Sequence, residues 1–198
     1  MTTLVLASKS EARRAMLEGA GITVDLVPAE IDERSLDAQW AAEGRSPAQI
    51  ARLLAEEKAR AVSRARPDAH VIGADQTLAL GQDRFSKPAS LAEARAHLET
   101  FRGRIHHLHS GVALARGGQI VASTVSSAAM HVRAFSDAFL DRYMTAMGDR
   151  VLTSVGCYQF ESVGIQLFDR VEGDYFTILG MPLLPLLAML RKQGLATP

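Results

Sequence analysis

Asp75 closes an apolar run, Val71-Ile72-Gly73-Ala74-Asp75-Gln76, and two arginines, Arg13 and Arg14, follow a similar run near the N-terminus. Both places read as strand ends, where open α/β sheets gather ligand groups. A carboxylate facing cations is the chemistry of a divalent metal and a phosphorylated substrate. Cleaving a phosphoanhydride needs cations to hold the phosphates, a metal to offset developing charge, and a base or orienting group for water. Magnesium binds through one or two carboxylates plus the substrate's own phosphates, keeping several waters. The chain offers Arg13, Arg14, Lys58 and Lys87 as cations, with Asp75 and Glu33 as carboxylates. Singly, a charged residue at a loop or helix end is most often solvated surface. Their joint placement near strand and helix ends is what raises the functional reading. No GxxxxGK motif followed by serine or threonine occurs, so a P-loop is not expected.

The elements that must position these groups alternate. Leu4 to Ala7 reads as a short buried strand. Ser8 and Glu11 are spaced as a capping box for a helix carrying Ala12, Ala15, Met16 and Ala20, with Gly21 as its stop. Arg13 and Arg14 fall in its first turn, beside free backbone N–H groups that attract anions. Ile22 to Pro28 reads as a second strand, and Glu30 to Arg34 as an acidic loop. Ser46-Pro47-Ala48-Gln49 is a strong helix start. That helix should run to about Ala65, burying Ile50, Leu53, Leu54 and Ala61, with Lys58 at the edge of the stripe, able to reach inward or snorkel out.

Pro67-Asp68 breaks the chain before the strand that ends in Asp75, and Gly81-Gln82-Asp83 reads as a hairpin turn. Ser90 and Glu93 form another capping box for a helix with Leu91, Ala94, Leu98 and Phe101 as its stripe, ended by Gly103. His106 to Ala115, Gly117-Gly118 and Ile120 to Val132 read as a long β-hairpin. Ser136 caps a helix that Gly148 closes. Beyond Val151 to Phe160 come a glycine-containing segment to Gly173, an aromatic strand, and a last helix through Leu190. The class is α/β with a mixed sheet.

Composition narrows the partners. The chain has 198 residues, 47% of them hydrophobic, and 22 basic against 22 acidic side chains. That is enough for one large domain or two small lobes around a cleft. Zero net charge gives no global field for a nucleic acid polymer. Cys157 is the only cysteine, so no internal disulfide forms and a reducing, cytoplasmic compartment is expected. No run approaches the roughly 18 apolar residues that span a membrane.

Several blocks together resemble the signature segments of the Maf family. They are Leu6-Ala7-Ser8-Lys9-Ser10-Glu11-Ala12-Arg13-Arg14, Ile72-Gly73-Ala74-Asp75-Gln76, Lys87-Pro88 and Gly103-Arg104-Ile105-His106, then Gly156-Cys157-Tyr158 and Gly164-Ile165-Gln166-Leu167-Phe168. Glu172-Gly173-Asp174-Tyr175 and Leu179-Gly180-Met181-Pro182-Leu183 complete the ordered set. The resemblance spans nearly the whole chain and implies a single Maf-like domain over 1–198. It implies a Maf/ITPase-like fold, a mixed twisted sheet with flanking helices and two lobes around a nucleotide cleft. The implied activity is metal-dependent hydrolysis of nucleoside triphosphates to nucleoside monophosphate and pyrophosphate, with Mg or Mn as the divalent metal. Many members are dimers, which leaves a homodimer open. On this resemblance Asp75 is the general base or metal-linked water activator. Ser8, Arg13, Arg14, Lys58 and Lys87 hold the triphosphate, and Glu33 joins Asp75 at the metal.

The chain also departs from the family pattern. Glu11 and Ala12 stand where a proline and its follower are usual. The branch favouring thymidine and uridine triphosphates has Asp-Thr where this chain has Asp75-Gln76, and Asp-Gln resembles the branch acting on 7-methyl-GTP. That branch tends to carry tryptophan at the place of Ala12 and a lysine near Gln159. Glu161 aligns with a carboxylate of the 7-methyl-GTP branch. A carboxylate there can accept from guanine N–H groups, so Gln76 and Glu161 are expected to contact the substrate and lean toward the purine branch.

Plainer readings stand beside these. His107 and His109 share a strand face while His106 takes the other, so only a two-histidine pair is left for zinc, with no third ligand evident. The family pattern includes only His106, in a structural or cleft-lining role. Cys157 reads as a small buried hydrophobe. Tyr175 and Phe176 read as core or edge aromatics rather than a base platform. The rival function is a nucleotide-binding regulator of cell division or septum formation with little catalysis, which would not require Asp75. A phosphatase cutting the terminal phosphate would release orthophosphate instead.

Overall fold

The computed structural model describes residues 4–196. In chain order the elements are β1 (Leu4–Leu6), α1 (Glu11–Gly19), β2 (Asp25–Leu26), α2 (Glu33–Ala42), α3 (Pro47–Ala65), β3 (His70–Leu80), β4 (Asp83–Phe85) and α4 (Leu91–Phe101). There follow β5 (Ile105–Arg116), β6 (Gln119–Val132), α5 (Asp137–Met147), two 3-10 turns (Gly148–Thr153 and Val163–Leu167), β7 (Phe168–Glu172), α6 (Tyr175–Ile178) and α7 (Leu183–Lys192). Among the described residues, strands hydrogen-bond in the order β2-β1-β3-β5-β6-β7, with β4 paired to β3. β1 runs parallel to β2 and β3, while β3–β4 and β6–β7 are antiparallel, so the sheet is mixed as expected. No helix among the described residues is long and apolar enough to cross a membrane.

The chain divides into two compact units. Unit 1 holds the chain through Gln76, residues 109–126 and the stretch from Tyr175 onward. Its sheet has two faces because successive strand side chains alternate. On one face Val71 of β3, with Ala113 and Ala115 of β5, packs on Ala55, Ala59 and Val62 of α3. On the other, Ile72, Ala74, Val112 and Leu114 meet Met16 and Leu17 of α1 and Leu183, Leu186 and Leu190 of α7. The last three lie on the predicted C-terminal helix. Unit 2 holds residues 77–108 and 127–174, with a core that joins Phe101, His106, Tyr158 and Phe168 ring to ring.

α3 lies unusually close to the sheet. A Cβ on Gly73 would stand 2.1 Å from the Ala55 carbonyl oxygen, and one on Gly111 would stand 2.3 Å from that of Ala51. Only glycine leaves room for helix backbone there. The buried stripe of α3 is accordingly alanine-rich, Ala51, Ala55 and Ala59 with Ile50, Leu54 and Val62, whereas Leu53 and Ala61 are half-buried. The full capping box at Ser46 and Gln49 starts this helix as the sequence predicts.

Several expectations need correction. Ser10, not Ser8, caps α1, accepting from the Arg13 backbone N–H, while the Ser8 hydroxyl accepts from Ser10 N–H and shapes the preceding turn. The acidic loop is partly helix: Asp32 caps α2 by accepting from Ser35 N–H, and Glu33 is its first helical residue. α2 escapes a periodicity search because it buries none of its residues. Asp75 is not at a strand end. β3 continues five residues past it to Leu80, since Leu78-Ala79-Leu80 resume the buried pattern and pair with β4. The predicted aromatic strand is the short helix α6. Its carbonyls at Thr177 and Ile178 take side-chain donors rather than a strand ladder.

Candidate active site

Alternation along β3 sends neighbouring polar residues to opposite faces. Asp75 follows Val71 and Gly73 toward α3, and Gln76 follows Ile72 and Ala74 toward α6 and α7. On the first face the Lys58 ammonium, borne by α3, donates to Asp75 Oδ1 at 2.6 Å and lies 2.7 Å from Glu33 Oε2. The lysine and the aspartate are nearly buried, whereas Glu33 is half exposed. Lys58 therefore reaches inward, resolving the choice its edge position left. Burial raises the Asp75 carboxyl above its ordinary value, Lys58 and Arg13 oppose that rise, and Glu33 adds to it.

Arg13 ties three segments together. Its Nε donates to the Gly180 carbonyl at 3.0 Å, and its Nη1 donates to the Ala74 carbonyl at 2.8 Å and lies 3.5 Å from Ser8 Oγ. Burial lowers its pKa, offset by the fields of Asp75 and Glu33, and a guanidinium keeps its charge regardless. Arg14 faces outward and pairs with Glu11 at 2.5 Å and Glu18 at 3.5 Å. The adjacent arginines thus have different surroundings, which their shared place in the first turn did not reveal.

On the other face the Gln76 carboxamide is enclosed. Its Nε2 donates toward Ser110 Oγ at 3.0 Å, Thr177 O at 3.1 Å and Ile178 O at 3.0 Å. Ser110, fully buried, donates its own hydroxyl proton to Thr177 O at 2.7 Å. The sequence reading missed Ser110. Its signal was the β5 alternation, which puts residue 110 in phase with Val112 and Leu114, a lone hydroxyl on an apolar face.

Lys87 and Glu161 belong to unit 2. Lys87 is exposed between β4 and α4, and Glu161 is exposed in the turn after Phe160. His106 is buried, with Nε2 at 2.8 Å from the Tyr158 hydroxyl, and desolvation lowers its pKa to about 3. A neutral ring packed among Phe101, Tyr158 and Phe168 is a structural histidine of unit 2. Cys157 is fully buried, with its thiol pushed up to about 12 by desolvation, so it is the inert small residue expected.

Unit 1 thus gathers Ser8, Arg13, Glu33, Lys58 and Asp75: a buried carboxylate that can take a proton, an ammonium against it, and a guanidinium within its field. This set suits hydrolysis at a centre carrying negative charge.

Known proteins resemble this chain along almost its whole length. A protein named 7-methyl-GTP pyrophosphatase from Rhizobium meliloti is 51% identical over 191 residues, covering 96% of each chain. A nucleoside triphosphate pyrophosphatase from Bradyrhizobium diazoefficiens is 54% identical, covering 97% of this chain and 94% of its own. Another of that name from Granulibacter bethesdensis is 50% identical, covering 98% of each. The family described as Maf-like protein matches residues 3–193, and this chain belongs to it.

Proposed function

We propose that this chain hydrolyses the α–β phosphoanhydride of nucleoside triphosphates, modified ones included, to nucleoside monophosphate and pyrophosphate. The observation that supports this most directly is the buried Asp75 carboxylate, held by Lys58 in the field of Arg13. The chain is half-identical to relatives named for this activity. Asp75 takes a proton from water as the water oxygen bonds to the α-phosphorus. The bond from that phosphorus to the bridging oxygen breaks, and its electron pair leaves on pyrophosphate. Arg13 offers its guanidinium to the triphosphate, with Ser8 as a hydroxyl partner within unit 1, and Lys87 is proposed as a further phosphate-binding cation. Arg14 must release Glu11 and Glu18 before it can take a phosphate.

A divalent metal, Mg or Mn, fits the donor chemistry. Asp75 and Glu33 already turn one oxygen each toward the Lys58 ammonium, so two hard carboxylate donors converge on one cation. Among the described residues no group of three or more His, Cys, Asp or Glu could hold a metal. Asp75 and Glu33 would hold it, with triphosphate oxygens and water as the remaining ligands. When bound, the ion would neutralise charge developing on the phosphates. Lys58 neutralises the same carboxylates, so it must yield one of them as the ion binds.

Gln76 and Glu161 are each proposed as a base contact, taken singly within its own unit, and the carboxylate favours a purine such as 7-methylguanine. We place the protein in the cytoplasm. The test is a panel of nucleoside triphosphates, including 7-methyl-GTP, with magnesium or manganese, measuring monophosphate and pyrophosphate. Release of both products in equal amounts supports the pyrophosphatase. Orthophosphate alone makes it a terminal phosphatase. Nucleotide binding without turnover makes it a regulator. Sizing chromatography tests the homodimer.

A further inference from the structure

We propose that Ser110 is a positioning residue that sets the Arg13 guanidinium for triphosphate binding, acting through Gln76 and the carbonyls of Thr177 and Ile178. This rests on the proposed triphosphate site. It adds a residue that no signature block contains, and it gives Gln76 a second task beside base contact.

Proton accounting fixes the orientation of the Gln76 carboxamide, whose two N–H protons are shared among three acceptors. A serine hydroxyl has one proton, and Ser110 spends it on Thr177 O at 2.7 Å. Toward Gln76 Nε2 at 3.0 Å it can therefore only accept. Thr177 O and Ile178 O are acceptors as well. Every partner on this side accepts, so the carboxamide must present its NH2 group here, and a flip would set its oxygen against three oxygens. Ser110 and Thr177 are both fully buried, where an unmatched polar atom is costly.

The clamp holds the C-terminal end of α6. Two residues on, the chain turns at Gly180 with φ +98°, a conformation that favours glycine. Gly180 lies between the two side chains at issue: a Cβ there would meet Arg13 Nη2 at 3.4 Å and Gln76 Cδ at 3.7 Å. Its carbonyl is the acceptor for Arg13 Nε. Ser110 therefore fixes α6, α6 fixes the Gly180 carbonyl, and that carbonyl orients the guanidinium. Arg13 has three attachments in this set, and the Gly180 bond is the one Ser110 controls.

Ser110→Ala removes one acceptor from Gln76 Nε2 and one donor from Thr177 O. Ser110→Cys keeps the volume with a weaker donor and serves if the alanine variant does not fold. The probe is inorganic tripolyphosphate, which has neither base nor sugar, with binding measured calorimetrically. The Ser110 variants should bind it about three- to ten-fold more weakly than the parent, the worth of one such hydrogen bond. KM should rise for every nucleoside triphosphate, whatever its base. Unaltered tripolyphosphate affinity in a folded variant overturns the inference, as does a change confined to the base ratios. A parent protein that binds tripolyphosphate but hydrolyses no nucleotide sinks the proposed function and leaves this inference to the binding data alone.

Discussion

Lys58 and Asp75 lie 17 positions apart in sequence, on α3 and β3, and meet at 2.6 Å with both side chains nearly buried. The helix must sit almost on the sheet for a lysine to arrive there, and Gly73, two residues before Asp75 on the same face, permits that approach. Desolvation favours the protonated carboxyl and Lys58 favours the ionised one. A base works best when its pKa is raised toward the working pH yet still leaves it ionised, and this pairing supplies both influences.

Asp75→Asn keeps the volume and a hydrogen-bonding head but removes the proton acceptor. Turnover should fall about 10²- to 10⁴-fold, the usual worth of a general base. Circular dichroism should show an unchanged fold. A folded Asn variant with near-parental turnover would remove Asp75 from the mechanism.

The pH dependence has a definite sign. Asp75 must be unprotonated to take a proton from water, so kcat/KM falls as pH drops through its pKa. Burial raises that pKa, so the acidic limb lies above the ordinary carboxylate value of 3.8. Lys58 pulls it down. Replacing Lys58 by Met leaves burial and Glu33, both of which raise it. The limb should move to higher pH in Lys58→Met, measured as kcat/KM across a buffer series at fixed metal. A limb that stays in place, or moves toward acid, would show that another group governs it.

The parts of the fold legible in sequence are those where local chemistry and tertiary packing agree. The Ser46 capping box, the Gly117-Gly118 hairpin and the helix from Ser136 to Gly148 all stand where their residues point. α2 was not legible because it buries no face, leaving only the Asp32 cap as a signal. α6 was misread because Tyr175 and Phe176 favour strands, a preference that yields when carbonyls find partners such as Ser110 and Gln76. The ordered motifs contain Asp75 and Arg13, and Lys58 stands beside them as a candidate cation on its helix. They could not show which of two adjacent arginines is anchored, since that depends on carbonyls 61 and 167 positions away in Ala74 and Gly180.

That difference between the arginines is measurable. Arg13 spans two carbonyls with a planar fork, and a lysine has one point donor that cannot serve both. Arg13→Lys should raise KM for nucleoside triphosphates about ten-fold or more, losing one hydrogen bond and misplacing the charge. Arg14→Ala removes a half-exposed side chain paired with Glu11 and Glu18. Its effect on stability should be negligible, because exposed pairs of this kind are screened by water. Steady-state kinetics and thermal melts of the two variants decide it. A larger KM change in Arg14→Ala than in Arg13→Lys would put the phosphate on the outer arginine.

Gly73→Ala tests whether the close helix–sheet approach builds the site. The added methyl would stand 2.1 Å from Ala55 O, 2.7 Å from Ala59 N and 2.9 Å from Ala59 Cβ, two of them backbone atoms that cannot turn aside. α3 must move outward, and overpacking of this kind costs about 1–3 kcal/mol. Because Lys58 sits on the same helix, the movement draws its ammonium away from Asp75. Stability and turnover should therefore fall together. Gly19→Ala is the control, with nothing within 4 Å of its new Cβ and a place at the end of α1. Helix propensity should make it neutral or stabilising by up to about 1 kcal/mol, with turnover unchanged. Loss of stability in Gly73→Ala with full activity would show that Lys58 reaches Asp75 without the close approach of α3.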